Sequence, residues 1–191
     1  MKSKEKGIPL KLPSSESGFS MLEVIIAILV ITAFLTGTLQ LMAVNALYKV
    51  RSERQAQANF WIQEDFEDVK YLASTLDVTS SPSYVSPDVC TNINQGYGTA
   101  LRRRLTNTPL TTITIPTAQE LVPTRTIVGK NYSLARTFNI ANQSDNPHRL
   151  RIDYQVKLAT GQTPNDYQNQ ENDVIARSSV EVIPDASFNC P

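Results

Sequence analysis

The feature that most restricts this chain is residues 24–47, VIIAILVITAFLTGTLQLMAVNAL, a stretch without one charged side chain. About 20 apolar residues cross a bilayer as a helix. Thirteen of these 24 are Leu, Ile, Val or Phe. At roughly −0.3 to −0.6 kcal/mol each, they favour insertion by about 4–8 kcal/mol. Before the stretch, Lys2, Lys4, Lys6 and Lys11 outnumber Glu5 and Glu16. The positive-inside rule keeps that side in the cytoplasm and sends the rest of the chain out.

A plain signal anchor would account for this much. A secretory signal cut near Val44 and Ala46 fits less well, because ordinary apolar cores of such signals run to about 7–15 residues. Neither explains Glu23, which sits at the edge of the apolar run. A carboxylate there costs up to about 3 kcal/mol at mid-bilayer and less near the surface. One bland account leaves Glu23 in the headgroup region.

The local motif offers another account. Gly18-Phe19-Ser20-Met21-Leu22-Glu23, followed at once by the apolar run, resembles the processing site of type IV prepilins and pseudopilins. The resemblance is strong over about residues 14–72 and weak beyond. It implies that a prepilin peptidase cuts after Gly18 and methylates the new N-terminus at Phe19. It also implies an assembly role for Glu23, pairing with the N-terminal amine of a neighbouring subunit. The electrostatics agree: a new ammonium group at the positive end of a helix dipole is unfavourable, and Glu23 brings a compensating charge one turn in. The leader departs from the family's usual pattern in its length and in having Ser17 before Gly18.

Within the helix, Thr32, Thr36 and Gln40 recur every four residues, with Ala33 and Gly37 beside them. Such a face suits helix–helix packing; the alternative is that each hydroxyl bonds back to its own helix. No proline occurs in residues 19–76. Major pilins usually carry a kinking proline in mid-helix, so the resemblance is closer to minor pilins of the PilV type and to minor pseudopilins of type II secretion.

After residue 47 the pattern turns amphipathic. Ala58, Ile62, Phe66, Val69, Ala73 and Leu76 form a stripe, with Glu64, Asp65, Glu67, Asp68 and Lys70 largely off it. Trp61 beside the stripe reads as packing. The spacing predicts one helix to about Leu76. Residues 80–82 and 86–88, rich in Ser and Pro, predict a loop. Residues 110–115 predict a short strand, and Pro123 an edge or irregular segment. Tyr132, Leu134, Phe138 and Ile140 share a period of two, with Arg136 the exception. Leu150 to Leu158 alternate cleanly, and residues 174–182 give another strand. Polar connectors at 142–147 and 160–172 make these three strands an antiparallel meander, its apolar face on the helical stripe.

The expectation is therefore an α+β fold, a long N-terminal helix packed against an antiparallel sheet head, as in pilins. The expected divisions are a cleaved basic leader (1–18), a transmembrane or filament-core helix (19–48), an amphipathic continuation (49–76) and a sheet head (77–191). The head would lie outside the cytoplasm, where disulfides persist. Many pilins staple their C-terminal region, which makes Cys90 and Cys190 candidates for a bond; the alternative is two free thiols.

Chemistry-bearing patterns are sparse. Lys plus Arg and Asp plus Glu number 18 each, so no overall charge points to nucleic acid. One histidine, His148, excludes a His-His metal motif and reads as a surface residue. Arg102-Arg103-Arg104 reads as a solvated loop more readily than a phosphate or DNA contact. Gly96-Tyr97-Gly98 lacks the setting of a phosphate loop. No pattern of catalytic residues stands out, and neither metal nor cofactor is implied. The reading is a minor pilin precursor of the bacterial inner membrane, not an enzyme. Its expected partners are the prepilin peptidase, other pilins or pseudopilins and the pilus assembly machinery, with nucleic acid unexpected. The alternatives are a type II secretion pseudopilin, a head that binds DNA or an adhesion target through the Arg102 cluster, and a tethered domain that keeps its leader.

Overall fold

The computed structural model describes residues 20–77, 79, 83–161 and 174–191. The expected leader with Gly18 and Phe19, residues 80–82 and most of the 160–172 connector lie outside these. The described chain contains a long helix and a four-stranded antiparallel sheet, an α+β architecture.

Helix α1 runs unbroken over Met21–Ser74. No proline interrupts it and Gly37 is its one glycine. It begins where the Ser20 carbonyl accepts from the amides of Glu23 at 2.9 Å and Val24 at 3.3 Å. It ends two residues short of the expected Leu76. The hydroxyls of Ser74 and Thr75 both donate to the Tyr71 carbonyl, at 2.9 and 3.0 Å. Such local bonds compete with helix continuation.

The chain divides between Leu47 and Tyr48 into two compact units. The described part of the first is Ser20 followed by helix, exposed throughout except at half-buried Thr38. Its large apolar side chains face outward, with Phe34 71% and Leu39 66% exposed. Among the described residues it is the one helix long and apolar enough to cross a membrane.

The second unit is built on the amphipathic stripe. Ala58, Ile62, Val69, Ala73 and Leu76 are buried, Phe66 is half-buried, and Trp61 joins them. They share one core with the inner face of the sheet, whose order is β1 (Ala118–Ile127), β2 (Lys130–Asn139), β3 (Leu150–Leu158), β4 (Val174–Val182). Every neighbouring pair is antiparallel. Leu134 faces Val156, and Phe138 faces Ile152, which in turn faces Val180. These cross-strand pairs place Leu150, Ile152, Tyr154 and Val156 on one buried face, as a period of two requires.

Two segments depart from sequence expectation, and one turn carries backbone strain. Residues 110–115 form turns and irregular chain instead of a strand. There the Arg103 Nη1 donates to the carbonyls of Pro109 at 3.0 Å and Thr112 at 2.9 Å, so a side chain occupies acceptors that a ladder would use. Residues 97–105 form a short helix, α2 (Tyr97–Leu105), with Tyr97, Ala100, Leu101 and Leu105 in the core. The β1–β2 turn carries Val128 at φ 43° and Gly129 at φ 77°. A two-residue hairpin of this hand needs positive φ at both positions, and a β-branched residue there is strained. The Arg54 Nη2 donates to the Val128 carbonyl at 3.3 Å, and the Val128 side chain packs against the core.

Candidate functional site

Two regions carry the features singled out by sequence. In the first unit, Glu23 lies in the opening turn of α1, exposed, and is its one acidic residue there. Gly18 and Phe19 precede the described residues. The hydroxyl of Thr32 donates to the Ile28 carbonyl at 2.9 Å, and that of Thr36 to the Thr32 carbonyl at 2.7 Å. Both are thus satisfied within the helix and impose no polar cost on an apolar surrounding.

In the second unit, polar residues fasten α1 to the sheet. Asp65 was expected off the apolar stripe and is buried within it. The Arg136 Nε donates to Asp65 Oδ2 at 2.8 Å, while its Nη2 holds Oδ1. The pair is bidentate, the arrangement in which Arg and a carboxylate bind most strongly. Arg136 Nη1 also donates to Gln119 Oε1 at 3.3 Å, extending the network to β1. Burial, and then the Asp65 charge, push the Tyr154 hydroxyl above its ordinary range. This lock was not expected from the sequence, although its marks were present there. Arg136 broke the alternation of β2, and Asp65 sits between Ile62 and Val69 at stripe spacing.

A second tie is exposed. Arg125 stacks over the Trp61 ring at 4.9 Å and its Nη1 donates to Glu64 Oε2 at 2.8 Å. That hydrogen bond and the arginine's charge hold the Glu64 carboxyl below its usual range. Trp61 is therefore a packing residue with one face under a cation.

Cys90 and Cys190 are joined by a disulfide, with Cα atoms 5.3 Å apart. It ties the C-terminal tail, after a 3-10 helix at Asp185–Asn189, to the turn that precedes α2.

The basic run is not a solvated loop. Arg102 and Arg103 lie on α2, 9% and 4% exposed. Burial lowers the pKa of both, and for Arg102 the neighbouring Arg103 adds to it. Their place in the last turn of α2 sets them at the negative end of its dipole. Only Arg104 is exposed, over the Tyr84 ring at 5.1 Å, so the cluster offers no three-arginine surface to phosphates. His148 is half-buried and not a free surface residue. Its Nδ1 accepts from the Tyr97 amide at 3.3 Å, and its ring lies 5.7 Å from that of Tyr97. Gly96 and Gly98 serve packing: a Cβ on Gly98 would lie 2.5 Å from the Arg149 carbonyl oxygen.

Among the described residues no group of three or more His, Cys, Asp or Glu is placed to hold a metal ion. Comparison with known protein families, with curated proteins and with solved structures finds no match to this chain.

Proposed function

We propose that the chain is a minor pilin precursor, a structural subunit of a type IV pilus that primes or modifies filament assembly once its leader is removed. The observation that carries this reading is the junction of Gly18-Phe19 and Glu23 with an uncharged stretch that opens a single unbroken helix over Met21–Ser74. The first part of that helix presents mostly apolar side chains, and its threonines Thr32 and Thr36 are hydrogen-bonded within the helix. Its later part packs on an antiparallel sheet through the stripe that begins at Ala58. A helix that is apolar all round in one stretch and one-sided in the next fits a subunit stored in a bilayer and then packed among like helices.

In this proposal the leader stays cytoplasmic and the head lies beyond the inner membrane. The peptidase frees the Phe19 amine, and Glu23 of one subunit compensates the amine of another. The disulfide between Cys90 and Cys190 accords with a head outside the cytoplasm.

The test is mass spectrometry of the N-terminus of protein isolated from its host, with and without the membrane peptidase. The proposal expects an N-methylated Phe19 terminus in the first case and the intact leader in the second. An intact lysine-bearing leader in both would overturn it.

A further inference from the structure

The two edges of the sheet are built differently. β1 carries Pro123, which has no N–H to donate, and a register shift between Leu121 and Arg125. Such devices protect an edge from further pairing. β4 contains neither Pro nor Gly; its register against β3 shifts once, between the Val156–Ala176 and Lys157–Val174 pairs, and is regular from Ala176 to Val182. Among the described residues, no backbone group of β4 bonds to any strand but β3. Among the described residues, its outer edge is thus open from Ala176 to Val182.

Beside the end of this strand lies a notch of about 570 Å³ between β4 and the last turns of α1. Phe66 and Tyr71 wall it from α1, and Ile183 from the segment after β4. Tyr71 and Ile183 are 69% and 49% exposed, leaving apolar area to cover. The notch is also acidic, since Glu67, Glu181 and Asp185 face one cation, Lys70. Glu67 pairs with Lys70 at 2.6 Å and Glu181 with Arg149 at 3.1 Å. Asp185 is exposed and makes no ion pair among the described residues.

We propose that β4 is a docking edge for an extended segment of a partner polypeptide, which adds as a further strand and places a lysine or arginine in the notch against Asp185. Backbone hydrogen bonds along residues 176–182 supply affinity, and the notch supplies selectivity. A basic residue is called for because the notch has an excess of carboxylates and one of them is unpaired. The opposite edge of a second copy is a poor occupant, since Pro123 and the register shift interrupt its own row of donors. This inference does not depend on the pilin reading.

The test uses the full chain in detergent micelles and a fluorescein-labelled peptide of nine residues, alternating threonine and valine with lysine at each end. Fluorescence anisotropy measures binding, and amide exchange follows residues 176–182. The proposal expects saturable binding that slows exchange in β4. It expects binding at least tenfold weaker for the same peptide N-methylated on alternate residues, and at least tenfold weaker for the Asp185→Lys protein. The methylated peptide keeps charge and side chains, so that arm does not rely on a variant folding. Absence of saturable binding, equal binding of the methylated peptide, or unchanged affinity for Asp185→Lys each overturns the proposal. So does a full chain that is dimeric alone with β4 amides already protected, which would give the edge to a second copy.

Discussion

Arg136 of β2 points into the core and grips both carboxylate oxygens of Asp65 on α1. The two side chains are 7% and 10% exposed, so neither charge is relieved by water. A buried pair of this kind is costly to break by removing one member, because the other stays charged and unpaired. Replacing both with apolar groups of similar volume is far less costly. Asp65→Ala or Arg136→Met alone should therefore destabilise the second unit by about 3–5 kcal/mol. The double change Asp65→Leu/Arg136→Met should recover most of that loss. Urea unfolding of the full chain in detergent, followed by the fluorescence of Trp61, checks both.

This pair also marks where the sequence was readable and where it was not. The stripe from Ala58 to Leu76 and the alternation of Leu150 to Leu158 announced helix and strand because burial on one face imposes a period. The same reasoning set Asp65 off the stripe, which failed, and left Arg136 as an exception in an inward-facing series. Each breaks its own element's pattern, and only the fold brings them together across 71 residues. Likewise, β-propensity in residues 110–115 did not outweigh the side chain of Arg103, which occupies the Thr112 carbonyl in that segment and the Pro109 carbonyl just before it. Arg102 and Arg103 looked solvated as a run of like charge, whereas α2 buries both. The Glu23 motif needed no such tertiary information, being local in the chain.

The tie between Arg125 and Glu64 should be visible by titration. Glu64 has a lowered pKa in the folded protein through its hydrogen bond and attraction to Arg125. A carboxyl with a depressed folded pKa contributes stability above its ordinary value, and the contribution is lost as pH falls through the lowered one. Arg125→Met should return Glu64 to the ordinary carboxylate range. Added salt should move it the same way in the unaltered protein, because the pair is exposed and screened. NMR titration of the Glu64 side chain measures both shifts.

The disulfide closes a loop across 100 residues of sequence. In the chain-entropy account, such a closure stabilises by up to about 4–5 kcal/mol. Reduction should lower the melting temperature of the second unit, and Cys90→Ser/Cys190→Ser should lower it similarly. Reductant should then have no further effect on the double variant. Thermal unfolding by circular dichroism, with and without dithiothreitol, makes the comparison.

Gly98 permits α2 to lie against the chain leading into β3. A Cβ there would meet the Arg149 carbonyl oxygen at 2.5 Å and its carbon at 2.8 Å, both backbone atoms that cannot rotate away. Gly98→Ala should destabilise by about 1–3 kcal/mol through overpacking. Gly37→Ala, on the exposed apolar part of α1 with nothing within 4 Å of the added carbon, should cost no stability. Denaturant unfolding distinguishes the two.

Glu23 is exposed in the isolated chain, in the first turn of an otherwise uncharged stretch. Nothing in the described residues requires its charge for folding, since no ion pair or side-chain hydrogen bond engages it. Under the proposed function its charge matters only between subunits, where it offsets a neighbour's Phe19 amine. Glu23→Gln should therefore leave membrane insertion, leader removal and thermal unfolding unchanged while reducing incorporation into filaments. The reduction should be tenfold or more if the lost pairing is worth about 1.4 kcal/mol or more. Immunoblots of sheared filaments against the membrane fraction read the ratio directly. Normal incorporation of Glu23→Gln would remove the charge-pairing step while leaving the cleavage of Gly18-Phe19 to be judged by the mature N-terminus.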